Sequence, residues 1–160
     1  MLHVLTVIVE NEPGVLSRVA GLFSGRGFNI DSLNVAPTHE PGVSRMTLTT
    51  NGDEQIVEQI VKQLRKLVTV IKVRDLTEVH SVEREMALIK VNAEGQKRAE
   101  ILRIVDIFRC KVVDVSLDEL TIEVTGDRGK IEAILDLLTR FGIKEIARTG
   151  AVALKRAKQN

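Results

Sequence analysis

Apolar residues in the first half of the chain follow two alternating spacings. Short β-branched runs predict four strands, at residues 1–10, 28–36, 43–50 and 67–73. Between them, apolar residues recur at helical spacing over residues 15–23 and 56–64, which predicts two helices. Breaks rich in glycine, proline and asparagine separate these segments. The order β-α-β-β-α-β is that of the ferredoxin-like split βαβ motif.

The same order begins again after a more polar segment. Four further strands are predicted at residues 86–91, 111–115, 120–125 and 142–154. Apolar stripes over residues 101–108 and 131–138 predict the two helices of this second set. We therefore predict an α+β chain of two tandem ferredoxin-like modules, residues 1–76 and 85–160, joined by a linker at 77–84.

Some strands of the first module are apolar on consecutive positions rather than on alternate ones. Residues 7–9 and 68–73 show this pattern. A β-α-β-β-α-β module places both helices on one face of its sheet, so a covered second face needs another partner. The candidates are the other module and a second copy of the chain. We predict a homodimer formed by edge-to-edge pairing of two sheets.

Charge and aromatic content limit the classes of partner. The chain has 160 residues, and 23 Lys and Arg nearly balance 22 Asp and Glu, for a net charge of +1. This balance argues against bulk nucleic acid as a partner. The only aromatic residues are 4 phenylalanines, and the strands at 43–50 and 120–125 have none. RNA-binding modules of the same topology stack bases on such strands, so this alternative is disfavoured.

Residue types needed for catalysis or metal binding are scarce or scattered. Cys110 is the only cysteine, and the 3 histidines lie far apart in sequence. Nucleophile-elbow, phosphate-loop, dinucleotide and HExxH motifs are missing. We predict no catalytic residue and no bound metal on this chain. Without a signal-peptide pattern or a membrane-spanning apolar run, we expect a cytoplasmic location.

The loop before the first predicted helix is a candidate anion site. Unpaired N–H groups and the helix dipole at residues 11–16 favour a carboxylate. Gly14 would let a ligand approach the backbone, and Asn11 suits a zwitterion because it both donates and accepts hydrogen bonds. Alternatively, Asn11 caps the helix and Gly14 relieves crowding. Asn29 either is a turn residue or approaches this loop in the partner of a homodimer.

Several motifs of this sequence carry a family resemblance. The segments NEPGVLSR (11–18) and FSGRGFNIDSL (23–33) resemble an ACT domain, an amino-acid-sensing module. The further segments VAPT, SRMT, QLRKLV and VERE, at residues 35–38, 44–47, 63–68 and 82–85, resemble the small regulatory subunit of acetolactate (acetohydroxyacid) synthase. The resemblance extends over essentially the whole chain, including its plan of two modules.

The resemblance implies a regulatory subunit of branched-chain amino acid biosynthesis with no active site and no cofactor of its own. Such a subunit activates a catalytic large subunit that carries thiamine diphosphate, a divalent metal (Mg²⁺) and FAD. It also confers feedback inhibition by valine, bound between ACT domains of a homodimer. The positions that correspond to the effector site are Asn11, Gly14, Val15, Leu16, Asn29, Ile30 and Val35. The alternative is a stand-alone amino-acid-binding regulator of a different enzyme.

Overall fold

The computed structural model describes residues 1–158, which form two compact units. Unit 1 consists of Met1–Val82 together with the described residues from Gly150 onward, and unit 2 is Glu83–Thr149. Each unit has its own sheet, two helices and hydrophobic core. Within residues 1–158, none of the helices is long and apolar enough to cross a membrane.

Unit 1 has the predicted order of elements. They are β1 (Leu2–Glu10), α1 (Val15–Ser24), β2 (Ser32–Pro37), β3 (Val43–Asn51), α2 (Glu54–Arg65) and β4 (Val70–Asp75). The sheet order is β2-β3-β1-β4, and neighbouring strands are antiparallel, so β2 and β4 are the edges. The helices cover one face, where alternate residues of β1 such as Leu5 and Val7 are fully buried.

Two strands of unit 1 are shifted from their predicted positions. The strand predicted from residue 28 begins at Ser32, and residues 28–31 form a connection before it. The strand predicted at 67–73 is Val70–Asp75, because a turn in which the Val70 N–H donates to the Leu67 carbonyl precedes it. Both strands thus begin later than predicted, after connections that the hydrogen bonds of the preceding helix ends help to form.

Unit 2 repeats the topology. Its elements are β5 (Ser81–Asn92), α3 (Lys97–Ile107), β6 (Lys111–Val115), β7 (Glu119–Gly126), α4 (Arg128–Thr139) and β8 (Ile143–Arg148). The sheet order is β6-β7-β5-β8, again with antiparallel neighbours. The predicted linker at 77–84 is wrong for its last four residues, which belong to β5. The predicted fold of two ferredoxin-like modules is otherwise confirmed.

The last predicted strand, residues 142–154, is two strands. A break at residues 149–151 separates β8 from β9 (Val152–Lys155), which pairs with β5. Gly150 lies in this break with a φ of 76°, a left-handed conformation that favours glycine. The N–H of Arg156 donates to the His80 carbonyl at 2.9 Å. Residues 150–156, which we call the covering segment, therefore belong to unit 1 rather than to the predicted second module.

The covering segment lies against the face of the unit 1 sheet that the helices leave free. Ala153 is buried in a small cluster with Val4 and Leu76, and Val79 packs against this cluster. The Arg45 guanidinium donates a hydrogen bond to the Ala153 carbonyl at 2.7 Å. The second face is therefore covered, at this point, by the end of the same chain, a candidate that the strand pattern alone did not reveal.

Candidate functional site

The start of α1 presents unpaired backbone donors. Gly14 occupies the N-cap position, and no side chain caps this helix. The N–H of Val15 donates to the Glu12 carbonyl at 3.4 Å, and that of Arg18 donates to the Gly14 carbonyl at 3.1 Å. The two N–H groups between them have no acceptor among the described residues. This helix end is therefore a potential site for an anion.

Gly14 is required by the backbone rather than by a lack of space. Its φ of 84° is left-handed, and an added Cβ atom would have no heavy atom within 4 Å. The hypothesis that this glycine relieves crowding is therefore wrong. The open space beside it leaves the free N–H groups of α1 accessible.

Asn11 has a free side-chain amide at the same loop. Its backbone N–H donates to the Gly42 carbonyl at 2.8 Å, which fixes the loop to the β2–β3 turn. The side chain is exposed and makes no hydrogen bond with any described residue. Because Gly14 is the cap, the alternative that Asn11 caps α1 is wrong.

The two apolar candidates on α1 differ in what they can contact. Val15 is 3% exposed and packs in the unit 1 core, so only its backbone can face a ligand. Leu16 is 46% exposed and offers an aliphatic surface beside the free N–H groups. Of these two predicted effector-site residues, only Leu16 can therefore offer its side chain to a ligand.

Asn29 belongs to a polar cluster before β2. Its amide donates to Asp31 Oδ1 at 3.1 Å, and its carbonyl accepts from the Thr50 hydroxyl at 2.6 Å. The Asn51 amide donates to the other oxygen of Asp31 at 2.7 Å. Sequence reasoning missed Asn51, because only the pairing of β2 with β3 brings it beside Asn29 and Asp31. Ile30 is half-buried against the core.

The two asparagines lie at opposite ends of the sheet within one chain. Asn11 is tied to Gly42, just before β3, whereas Asn29 is tied to Thr50, near the end of β3. The intervening strand, at its ordinary rise per residue, separates them by roughly 25 Å. A single copy therefore does not bring the predicted site residues together. Val35, 41% exposed, lies on the edge strand β2 between the two ends.

Unit 2 has the same loop with different side chains. The N–H of Ala93 donates to the Asp118 carbonyl at 2.8 Å, just as that of Asn11 donates to Gly42, so Ala93 takes the place of Asn11. The Arg98 guanidinium donates to the carbonyls of Ala93, Ser116 and Leu117. Unit 2 therefore lacks the free amide, and its own arginine links this loop to the β6–β7 turn.

Metal ligands and the cysteine are two further kinds of candidate group. Among the described residues, no group of three or more His, Cys, Asp or Glu side chains is arranged to hold a metal ion. Cys110 is half-buried, and burial raises the pKa of its thiol, which keeps it protonated and weakly nucleophilic. The loop at residues 11–16 of unit 1, with its free N–H groups and the amide of Asn11, is the strongest candidate for a functional site.

Two family models together match most of the chain. Residues 5–72 match a model described as an AHAS small subunit-like ACT domain, and residues 84–157 match one described as the small subunit of acetolactate synthase. The two matches correspond to the first and second repeats of the β-α-β-β-α-β order.

Individual relatives match nearly the whole chain. The acetolactate synthase small subunit of Aquifex aeolicus is 58% identical, over 96% of this chain and 81% of that protein. The probable acetolactate synthase small subunit of Archaeoglobus fulgidus is 54% identical over 99% of both chains. The crystal structure of the small subunit from Thermotoga maritima superposes with a TM-score of 0.88, at 46% identity and 99% coverage of both chains. The chain belongs to the family of acetolactate synthase small subunits.

Proposed function

We propose that this chain is the non-catalytic regulatory subunit of acetolactate synthase in branched-chain amino acid biosynthesis. It binds the catalytic large subunit, raises its activity and makes it sensitive to feedback inhibition by valine. The names of the relatives, small subunits of that enzyme, support the choice of partner. Thiamine diphosphate, Mg²⁺ and FAD belong to the catalytic subunit in this proposal, and this chain holds no cofactor.

One observation carries the proposed effector site: its two halves lie at opposite ends of one sheet. The strand β2 is an edge, so two copies can pair their β2 strands antiparallel and extend the sheet. Such pairing places the start of β2 in one copy beside the end of β2 in the other, near the β2–β3 turn. Asn29 of one copy then approaches Asn11 of its partner, and the homodimer completes the site.

This shared site has the chemistry that valine requires. The carboxylate of valine accepts from the free N–H groups of α1, at the positive end of the helix. The side-chain oxygens of Asn11 and Asn29 accept from its ammonium group. Leu16, Ile30 and Val35 supply aliphatic surface for the isopropyl group. In this proposal the site serves recognition.

Inhibition follows if valine favours one arrangement of the homodimer. A ligand shifts an equilibrium only by its difference in affinity for the two states. Valine bound across two copies stabilises the arrangement in which Asn11 and Asn29 are close, and the bound catalytic subunit responds to that arrangement.

Mixing two variants tests whether the site is shared. Asn11→Ala and Asn29→Ala homodimers should each lose valine binding in calorimetry. A mixed dimer has one of its two sites with both asparagines intact, and random exchange makes about half of the dimers mixed, so mixing should restore about a quarter of the parent's binding capacity. Glu94→Ala and Lys111→Ala, in the corresponding segments of unit 2, are the matched controls. If mixing restores nothing although mixed dimers form, the site does not lie between copies. Gly14 is a poorer target, because any side chain there strains the backbone.

Reconstitution with the large subunit tests the regulatory role. We expect the chain to form a complex with that subunit, raise its acetolactate synthase activity and make it inhibitable by valine. Valine binding without complex formation or activation would instead support a regulator of a different enzyme.

A further inference from the structure

The edge strand β6 of unit 2 presents an exposed apolar surface. It ends the sheet order β6-β7-β5-β8, so one side of its backbone has no neighbouring strand among the described residues. Its sequence, KVVDV, contains three valines, and Val113 and Val115 are 52% and 61% exposed. An exposed edge strand rich in β-branched residues is a surface on which another strand can pair.

The two edges of the unit 2 sheet differ in charge. At the opposite edge, β8, the charged residues Lys144, Glu145 and Arg148 make up half of the strand. Charged side chains commonly protect an edge from pairing with another chain. In β6, valine occupies three of the five positions instead. The edge that is open to pairing is therefore β6, which holds in this sheet the position that β2 holds in unit 1.

The two charged residues of β6 lie on the same face of the sheet. Lys111 and Asp114 pair with the β7 residues on either side of the fully buried Ile122, so both lie on the face opposite to the core. A register shift at Val113 makes this possible, although three positions separate the two residues. Within residues 1–158, neither forms an ion pair. The two ends of β6 therefore carry opposite charges that are open to a partner.

We propose that β6 pairs antiparallel with β6 of a second copy of this chain. The centre of this pairing places Val112 of one copy opposite Val113 of the other. Because the two strands run in opposite directions, Lys111 of each copy then lies opposite Asp114 of the other. Valines meet at the centre, and opposite charges meet on both sides of it.

A second copy fits this edge better than an unrelated strand does. Under two-fold symmetry, one lysine and one aspartate form two ion pairs, so the strand is complementary to itself. The contact uses residues of unit 2 only. It is therefore independent of the proposed valine site in unit 1.

Disulfide cross-linking of the full chain tests this pairing. In Val113→Cys, the two introduced residues lie diagonally across the seam, with Cα atoms roughly 6 Å apart, within the range of a disulfide. With copper–phenanthroline as oxidant, we expect about tenfold more covalent dimer than from Val68→Cys, at an exposed apolar position of unit 1. Both variants retain Cys110, so its contribution is matched. Equal yields from the two variants would overturn the proposal.

Charge reversal in the Val113→Cys background tests the register. Lys111→Glu and Asp114→Lys each place like charges opposite one another at two points, and each should lower the cross-linking yield about tenfold at low salt. The combined variant restores opposite charges and should recover most of the yield. All three positions are exposed, so the variants should fold. Valine binding should be unchanged in each, because the effector site lies in unit 1. If the combined variant cross-links no better than the single ones, the pairing of Lys111 with Asp114 is wrong.

Discussion

The two units share a topology but treat the loop after their first strand differently. In unit 1, Asn11 and the start of α1 leave an amide and two N–H groups that bind no residue described by the structure. In unit 2, Ala93 stands in the place of Asn11, and Arg98 donates to the Ala93 carbonyl of this loop and to the carbonyls of Ser116 and Leu117 in the β6–β7 turn. The fold thus provides a place for a site twice, and a few side chains decide whether it is open.

The units also differ at the connection between their first helix and second strand. In both units, one backbone N–H of this connection donates to the carbonyl of the residue five positions earlier. The N–H of Phe28 donates to Phe23 in unit 1, and that of Cys110 donates to Val105 in unit 2. By this alignment Lys111 takes the place of Asn29. Unit 2 therefore lacks both of the amides that the proposed valine site uses, which is why we assign the effector to unit 1.

The largest expected effect concerns the covering segment, which unit 1 alone has among the described residues. Ala153→Glu buries a carboxylate between Val4 and Leu76 and should lower the free energy of unfolding by about 3 kcal/mol. Amide hydrogen exchange should locate the loss in unit 1. Leu154→Glu, at an exposed position, is the control and should cost far less. Equal losses for the two variants would show that the segment is not packed as described.

The next largest effect is expected from removing the hydrogen bonds that Arg98 makes in unit 2. Arg98→Leu should cost about 1–3 kcal/mol of stability, because the carbonyls of Ala93, Ser116 and Leu117 lose their donor. It should not create valine binding, because Ala93 has no amide. Urea unfolding and calorimetry measure the two outcomes. Arg103→Leu, on the same helix and exposed, is the matched control. Valine binding to unit 2 in the Arg98 variant would contradict the assigned role of Asn11.

A smaller loss of stability, of the same size in both units, is expected at the start of the second helix of each unit. Asp53 accepts from the Gln55 N–H at 2.8 Å, and Asp127 accepts from the Lys130 N–H at 2.9 Å. Asp53→Ala and Asp127→Ala should each cost about 1 kcal/mol, since both remove an N-cap. Thermal unfolding of both variants checks this similarity, and Asp→Asn at each position should recover most of the loss.

The smallest expected effect is a pH dependence in unit 2. A hydrogen bond from Lys144, at 2.7 Å, holds the pKa of Glu119 below its ordinary value. The stability from this pair is therefore present above the ordinary glutamate pKa of about 4.3 and is lost as the pH falls below it. Lys144→Gln should flatten that part of the stability profile slightly, whereas Lys97→Gln should not. An unchanged profile would show that the exposed pair contributes nothing.

Local sequence patterns were sufficient to predict the fold but not its boundaries. Apolar spacing located every helix and the order of strands in both modules, because one face of each element is buried. The covering segment escaped prediction because Ala153 is small and its partners, Val4 and Leu76, are distant in sequence. The start of β2 at Ser32 was missed because the polar cluster of Asn29, Asp31 and Asn51 forms only in the folded chain.

The candidate site could be predicted only in part, because some of its features are local and others depend on how the chain packs. Asn11 and Gly14 were found because a helix start has a recognisable local signature. The burial of Val15 and the left-handed conformation of Gly14 depend on how α1 packs, which spacing alone does not determine. Arg98 was missed because its three acceptors lie on two separate loops.

The covering segment makes unit 1 discontinuous along the chain, with unit 2 inserted between its two parts. During synthesis, unit 2 is therefore complete before the ribosome has delivered the last strand of unit 1. The module that we assign to effector sensing finishes folding last. A product that stops at Thr149 would retain unit 2 but expose Val4 and Leu76, a surface that quality-control proteases can recognise.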